Sequence, residues 1–159
     1  FLRTARECGW FVVVVTNQPG LAKGTLTIPE LDAVHARLSE LLTRNGGGWD
    51  RLVYCPHHPT GRPGFASPWV MDCECRKPKP GLLKNAASEW GLDLTESWMI
   101  GDGLVDVQAG HRAGCRTALI ASLKTEHLEK LTQADSPPPT LILPSLRDAI
   151  APILRAGPD

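Results

Sequence analysis

The stretch Phe11–Gly20, FVVVVTNQPG, decides the fold class of this 159-residue chain. Its continuous apolar run, rich in β-branched valines, is typical of a strand buried on both faces, as in a parallel sheet. Asparagine, proline and glycine then end the strand in a turn. The stretch therefore predicts a strand of an α/β domain, with residues 16–20 at its carboxyl end.

Strands and helices alternate along the rest of the chain. Thr27 and Glu30 have the spacing of a capping box, which predicts a helix from about Ile28 to the glycines at 46–48. Short apolar runs predict further strands at 51–54, 98–100, 117–120 and 140–143. Further helices are predicted at 81–90, 105–113, about 126–132, and after a cap at 145–148. This alternation predicts a three-layer, doubly wound, Rossmann-like parallel sheet, with ligands at the carboxyl ends of the strands.

Length and composition favour a single domain, because 159 residues with 42% hydrophobic content can bury one ordinary core. The formal net charge is zero, which argues against nucleic acid or an acidic membrane as partner. The sequence shows neither an apolar run of about 18 residues nor a signal-peptide pattern. We therefore expect a cytoplasmic protein with no membrane partner.

The loop expected at residues 55–75 carries two pairs of metal-binding residue types. Cys55-Pro-His57 and Cys73-Glu-Cys75 supply the number and type of ligands for a closed, structural Zn²⁺ site. A long loop without apolar pattern also needs something to tie it down. His58 competes with His57 as the histidine ligand. The remaining cysteines, Cys8 and Cys115, are expected to be small buried hydrophobic residues.

Three further groups of residues have both a functional and an ordinary interpretation. The turn after Thr16 could hold a phosphate oxygen or merely end a strand. Asp102 follows a predicted strand and could bind Mg²⁺, whereas Asp106 could support it or cap the next helix. Arg76 and Lys77 follow the second ligand pair, so a metal would fix these cations in place, although such pairs are usually solvated.

Three motifs occur along the chain in this order: TNQPG, the two ligand pairs followed by RKPKPG, and GDGLVDVQAG. By these motifs the chain resembles the haloacid dehalogenase superfamily of phosphatases over residues of about 8 to 122. The chain is most similar to the zinc-containing branch, with heptose 1,7-bisphosphate and histidinol-phosphate phosphatases. The resemblance implies a Rossmann-like domain with almost no cap. It also implies a monomer that uses catalytic Mg²⁺ to hydrolyse a small sugar phosphate.

The resemblance also assigns roles to individual residues. The Thr16 hydroxyl would stabilise the transferring phosphoryl group, and Lys77 would neutralise its charge. The substrate-binding residues would be Asn17, Gln18, Pro19 and Arg76. The metal ligands would be Asp102 for Mg²⁺, and Cys55, His57, Cys73 and Cys75 for Zn²⁺.

Two features depart from the family pattern. The family's nucleophile and acid lie in a D-x-D-G motif, and D-x-D occurs nowhere in the 159 residues. We expect the strand that carries this motif to lie upstream of residue 1. We therefore expect the 159-residue chain by itself to be inactive, and less stable than a chain that includes the strand. Gly103 stands where heptose-bisphosphate phosphatases commonly have lysine. Histidinol-phosphate hydrolysis and a non-catalytic zinc-stapled binding module therefore remain alternatives.

Overall fold

The computed structural model describes residues 1–121 and 137–154. The chain divides into two compact units, Leu2–Arg76 and Lys77–Asp159, the latter together with Phe1. The helix expected near residues 126–132 lies outside the described residues. Within the described ranges, none of the helices combines the length and apolar character needed to cross a bilayer.

The first unit contains a parallel pair of strands. Its elements are α1 (Leu2–Glu7), β1 (Val13–Asn17), the one-turn helix α2 (Gly20–Lys23), α3 (Ile28–Arg44) and β2 (Arg51–Cys55). Strand β1 begins two residues later than predicted, because the Val12 backbone instead binds Asp50 through its N–H (2.8 Å to Oδ2) and its carbonyl. The register places Asn17 beside Cys55, so both strands end at the same level.

Helix α3 confirms the predicted capping box. Thr27 N–H donates to the Glu30 carboxylate (2.8 Å), and Glu30 N–H donates to Thr27 Oγ1 (3.4 Å). Hydrogen bonds from the Thr27 side chain and backbone lower the pKa of Glu30. The apolar face of α3 is only partly covered: Leu31 is buried, whereas Val34 and Leu38 are exposed.

The second unit is built on a three-stranded parallel sheet. Its elements are α4 (Gly81–Trp90), β3 (Trp98–Gly101), α5 (Leu104–Ala113), β4 (Arg116–Ile120) and β5 (Leu141–Leu143), followed by a π-helical turn at Ile150–Leu154. The strand order is β3-β4-β5. That turn lies where the sequence predicts the last helix, but Ser145 is not its cap: Ser145 Oγ donates to the Asp148 carboxylate (2.6 Å), and the turn begins at Ile150.

The cysteines outside the loop behave differently from each other. Cys115 is buried as expected, in a core cluster with Leu83, Met99 and Ala109. Cys8 is exposed, contrary to the prediction, because α1 buries Ala5 and Cys8 follows the end of that helix. Only one of the two is therefore a core residue.

Candidate active site and metal centre

Three thiols and one imidazole, from the last residue of β2 and the loop that follows it, converge on one point. The ligand atoms of Cys55, His57, Cys73 and Cys75 all lie within 4.8 Å of one another. The three Sγ–Sγ distances are 3.1, 3.3 and 3.6 Å, and His57 Nδ1 lies 3.3 Å from Cys75 Sγ. A tetrahedral zinc with Zn–S bonds of about 2.3 Å has S···S edges of about 3.8 Å. The four donors therefore fit a tetrahedral ion of zinc's size.

The crowding of the three thiols changes their pKa values. Burial raises the pKa of Cys55, and burial together with hydrogen bonds to Cys55 and Cys73 raises the pKa of Cys75. Burial also acts to raise the pKa of Cys73, but hydrogen bonds from Cys75 and Cys55 outweigh it and lower that pKa. Three adjacent thiolates repel one another, and a divalent cation would offset that repulsion.

The residues around the cluster distinguish the two adjacent histidines. The His58 ring binds Thr60, with 2.7 Å from Nδ1 to the carbonyl oxygen, and does not join the cluster. The His57 ring packs near Trp69, with 5.8 Å between ring centroids. Arg76 donates from Nη1 to the His57 carbonyl (3.0 Å), so this cation is attached to the loop backbone.

The stretch that follows the valines forms a compact turn at the end of β1. Gln18 Nε2 donates to Thr16 Oγ1 (3.3 Å), and Gln18 N–H donates to the Cys55 carbonyl (2.8 Å). Pro19 then serves as the N-cap residue of α2. The Thr16 hydroxyl and the start of a helix thus lie at the carboxyl end of a parallel strand, where α/β domains bind ligands.

In the second unit, Lys77 and Asp106 form a buried ion pair. Lys77 Nζ lies 2.7 Å from Asp106 Oδ1, and each side chain is 9% exposed. Asp106 Oδ2 also accepts from the Gly103 N–H at the start of α5 (3.1 Å). A side chain on Gly101 would collide with Asp106, so glycine is required at the end of β3. Asp106 thus caps α5 and holds Lys77; the sequence predicted the capping role as one of two alternatives but not the pair with Lys77.

Asp102 lies directly after β3 and is exposed. Its carboxylate is an oxygen donor of the kind that Mg²⁺ prefers, and Mg²⁺ commonly needs only one or two protein carboxylates. Sequence reasoning missed Arg112, which no motif includes as a functional residue: it donates to the Pro78 carbonyl (2.9 Å) and so holds the segment after Lys77.

Within the first unit, the structure brings the four cluster residues together and orders the turn residues 16–19; within the second unit, it pairs Lys77 with Asp106. The sequence interpretation placed Thr16, Arg76, Lys77 and Asp102 around one phosphate, and this arrangement stays a prediction.

Comparisons with known proteins identify the family. The HAD-hydrolase-like family matches residues 74–149. The chain is 39% identical over 118 residues to the D-glycero-beta-D-manno-heptose-1,7-bisphosphate 7-phosphatase of Pseudomonas aeruginosa, covering 74% of this chain and 61% of that protein. It is 36% identical over 140 residues to the 7-phosphatase of Pseudomonas putida, covering 88% of this chain and 73% of that protein.

Solved structures agree in fold and in family. A D,D-heptose 1,7-bisphosphate phosphatase from B. bronchiseptica, complexed with magnesium and phosphate, has a TM-score of 0.80 at 31% identity, covering 98% of this chain and 80% of that one. A HAD-like phosphatase from Mesorhizobium loti has a TM-score of 0.81 at 35% identity, covering 99% and 72%. The chain therefore belongs to the haloacid dehalogenase superfamily, in the branch that contains the D-glycero-D-manno-heptose-1,7-bisphosphate 7-phosphatases.

Proposed function

We propose that the protein is a Mg²⁺-dependent phosphatase of a small sugar phosphate, with D-glycero-D-manno-heptose 1,7-bisphosphate as the first candidate substrate. The observation that carries this proposal is the 36% identity over 140 residues to the 7-phosphatase of P. putida, 73% of whose length is covered. We further propose that it acts as a monomeric single domain in the cytoplasm, a reducing compartment that suits its free cysteines.

Phosphoryl transfer depends on positioning and on neutralising the charge of the phosphoryl oxygens. The Lys77 ammonium suits this task because the buried Asp106 carboxylate, 2.7 Å away, holds it in one orientation. The Thr16 hydroxyl, fixed by Gln18, would donate to a phosphoryl oxygen, and Asn17, Pro19 and Arg76 would contact the substrate. Asp102 would hold Mg²⁺, which when bound supplies positive charge to the phosphate oxygens.

Ligand binding tests this proposal without requiring turnover. Calorimetric titration with the heptose bisphosphate should show binding that strengthens when Mg²⁺ is added. Asp102→Asn should reduce the Mg²⁺-dependent gain by about tenfold or more. Asp32→Asn, at an exposed carboxylate on α3, is the matched control and should bind as the parent does. Binding that is insensitive to Mg²⁺ would contradict the role of Asp102.

We also propose that Cys55, His57, Cys73 and Cys75 hold a structural Zn²⁺. His57→Gln should lower the zinc content measured by elemental analysis, whereas His58→Gln, at the adjacent histidine that binds Thr60, should retain it. Cys73→Ser combined with Cys75→Ser should abolish zinc binding. Zinc retained in that double variant would count against the site.

The proposed function has two alternatives. Histidinol phosphate is the competing substrate, favoured by Gly103 in place of the lysine common in heptose-bisphosphate phosphatases. A non-catalytic, zinc-stapled binding module is the alternative outside the enzymes. The same titration with histidinol phosphate separates the substrates. An apolar strand ending in D-x-D-G, in frame ahead of the codon for Phe1, would favour the enzyme over the module.

A further inference from the structure

The loop between the two pairs of candidate zinc ligands rests on helix α2, which directly follows the Thr16–Pro19 turn. Ser67 Oγ donates to the carbonyl of Leu21 in α2 (3.2 Å). The Phe65 ring covers Gly24, the C-cap of the same helix, so closely that a Cβ there would come within 2.5 Å of the ring. The loop therefore contacts α2 both within the helix and at its end.

A chain of contacts connects these two side chains to the cysteine and histidine cluster. The Ser67 hydroxyl accepts from Trp69 N–H (3.3 Å), and the Trp69 ring lies near the His57 ring, 5.8 Å between centroids. The Cys55 carbonyl accepts from Gln18 N–H (2.8 Å) while the Cys55 thiol belongs to the cluster. The loop thus contacts the segment from Gln18 to Gly24 at both ends.

Helix α2 needs contacts with the rest of its unit to hold its position: Leu21 and Ala22 are buried, and Ser67 and Phe65 add the contacts described above. It has four residues, and its N-cap, Pro19, makes no side-chain capping hydrogen bond. A single helical turn is unstable by itself, because nucleation costs more than one turn of hydrogen bonds returns. Gly24, at φ +64°, can end the helix in the left-handed conformation, but this fixes only its C-terminus.

We propose that Ser67 and Phe65 are positioning residues that hold α2, and through it the Thr16–Pro19 turn. The role of that turn in phosphate binding rests on the proposed function, whereas the contacts that hold it do not. Because the candidate zinc ligands lie at both ends of the loop, a bound metal would hold the two ends together. This lowers the entropy cost of placing Ser67 and Phe65 on α2.

Hydrogen exchange followed by mass spectrometry tests the proposal on the 159-residue chain, with zinc content measured in each sample. In Ser67→Ala and in Phe65→Ala, amides of residues 18–25 should exchange about tenfold faster, the loss expected for one net contact. Residues 98–120 of the second unit should exchange as in the parent, which shows that the fold is retained. Ser67→Thr and Phe65→Tyr, which keep the hydroxyl and the ring, should restore slow exchange.

Phe11→Ala is the matched control, because Phe11 is 43% exposed and Phe65 is 45% exposed. It should leave exchange at residues 18–25 unchanged. A second experiment uses Gly24→Ala. Alanine is strained in the left-handed backbone conformation at this position, and its Cβ would also collide with the Phe65 ring. The exchange increase caused by Gly24→Ala should be smaller in the Phe65→Ala background, where the ring no longer collides.

Unchanged exchange at residues 18–25 in the combined Ser67→Ala and Phe65→Ala variant would overturn the proposal. If Phe65→Ala does not fold, Ser67→Ala and its restoration by Ser67→Thr decide the question. Faster exchange in the variants, together with a parent chain that binds no sugar phosphate, would support the positioning role and contradict the proposed function. The two proposals can therefore fail separately.

Discussion

At the scale of single residues, the Lys77–Asp106 pair has a measurable energetic consequence. Both side chains are 9% exposed, so removing the lysine leaves a buried carboxylate without its cation. Breaking a buried pair from one side typically costs 3–5 kcal/mol, and Asp106 keeps its Gly103 N–H bond. We expect Lys77→Met to lower the free energy of unfolding by about 3 kcal/mol in urea titrations followed by tryptophan fluorescence.

Lys84→Met is the matched control, because Lys84 is exposed on α4. Its effect should stay within about 0.5 kcal/mol. Replacing both members of the pair, Lys77→Met with Asp106→Leu, should recover part of the loss. A Lys77→Met variant as stable as Lys84→Met would mean that the pair is solvated in solution.

The Cys115 thiol predicts a pH dependence of stability. Burial raises its pKa to about 11. Because the folded-state pKa lies above the unfolded value near 9, this stability is complete below pH 9 and is lost as the pH rises toward 11. Two pKa units correspond to about 2 to 3 kcal/mol.

The free energy of unfolding should therefore fall less steeply with pH in Cys115→Ala than in the parent, when it is measured at several pH values between 8 and about 11. In the control Cys8→Ala, at the exposed cysteine, the free energy of unfolding should fall with pH as it does in the parent. A parent and a Cys115→Ala variant with the same slope would show that the thiol titrates freely in the folded protein.

At the scale of elements, helix α5 lies unusually close to strands β3 and β4. A Cβ on Gly110 would come within 2.7 Å of Met99 Cβ and of Thr117 Cγ2. Alanine normally stabilises a helix relative to glycine by about 1 kcal/mol, whereas overpacking costs about 1 to 3 kcal/mol. We expect Gly110→Ala to destabilise the protein by about 1 to 2 kcal/mol in thermal or urea unfolding.

Ser88→Ala on α4 provides the comparison, because Ser88 is an exposed helical residue. That substitution should be neutral or slightly stabilising. A stabilising Gly110→Ala would indicate that α5 can move away from the sheet without loss of packing.

At the scale of the whole molecule, the expected activity of the 159 residues depends on the binding groups and on the catalytic motif of the family. Thr16, Lys77 and Asp102 are present, but D-x-D occurs nowhere in the 159 residues. We expect the 159-residue chain to release no phosphate from the heptose bisphosphate with Mg²⁺, because no aspartate occupies the nucleophile position of the family motif. Measurable Mg²⁺-dependent release, abolished by Asp102→Asn, would contradict this expectation and reveal a different nucleophile.

The sequence by itself determined the elements and the family. Gly91 marked the end of α4 and the Thr27–Glu30 spacing located the start of α3, because capping patterns act within a few residues. The ordered motifs predicted the superfamily, which the relatives confirm. After β5, the predicted helical segment is present as the π-helical turn at Ile150–Leu154, but the predicted cap is wrong, since the Ser145 hydroxyl binds the Asp148 carboxylate.

Only the tertiary structure decided which distant residues meet. It turned the His57 ring toward the thiols and the adjacent His58 ring toward Thr60, which agrees with the family resemblance where the residue types alone left both histidines open. It paired Lys77 with Asp106 and set Ser67 against Leu21, across 29 and 46 residues. Such contacts follow from how elements pack, and local sequence patterns carry no information about the direction in which a loop side chain points.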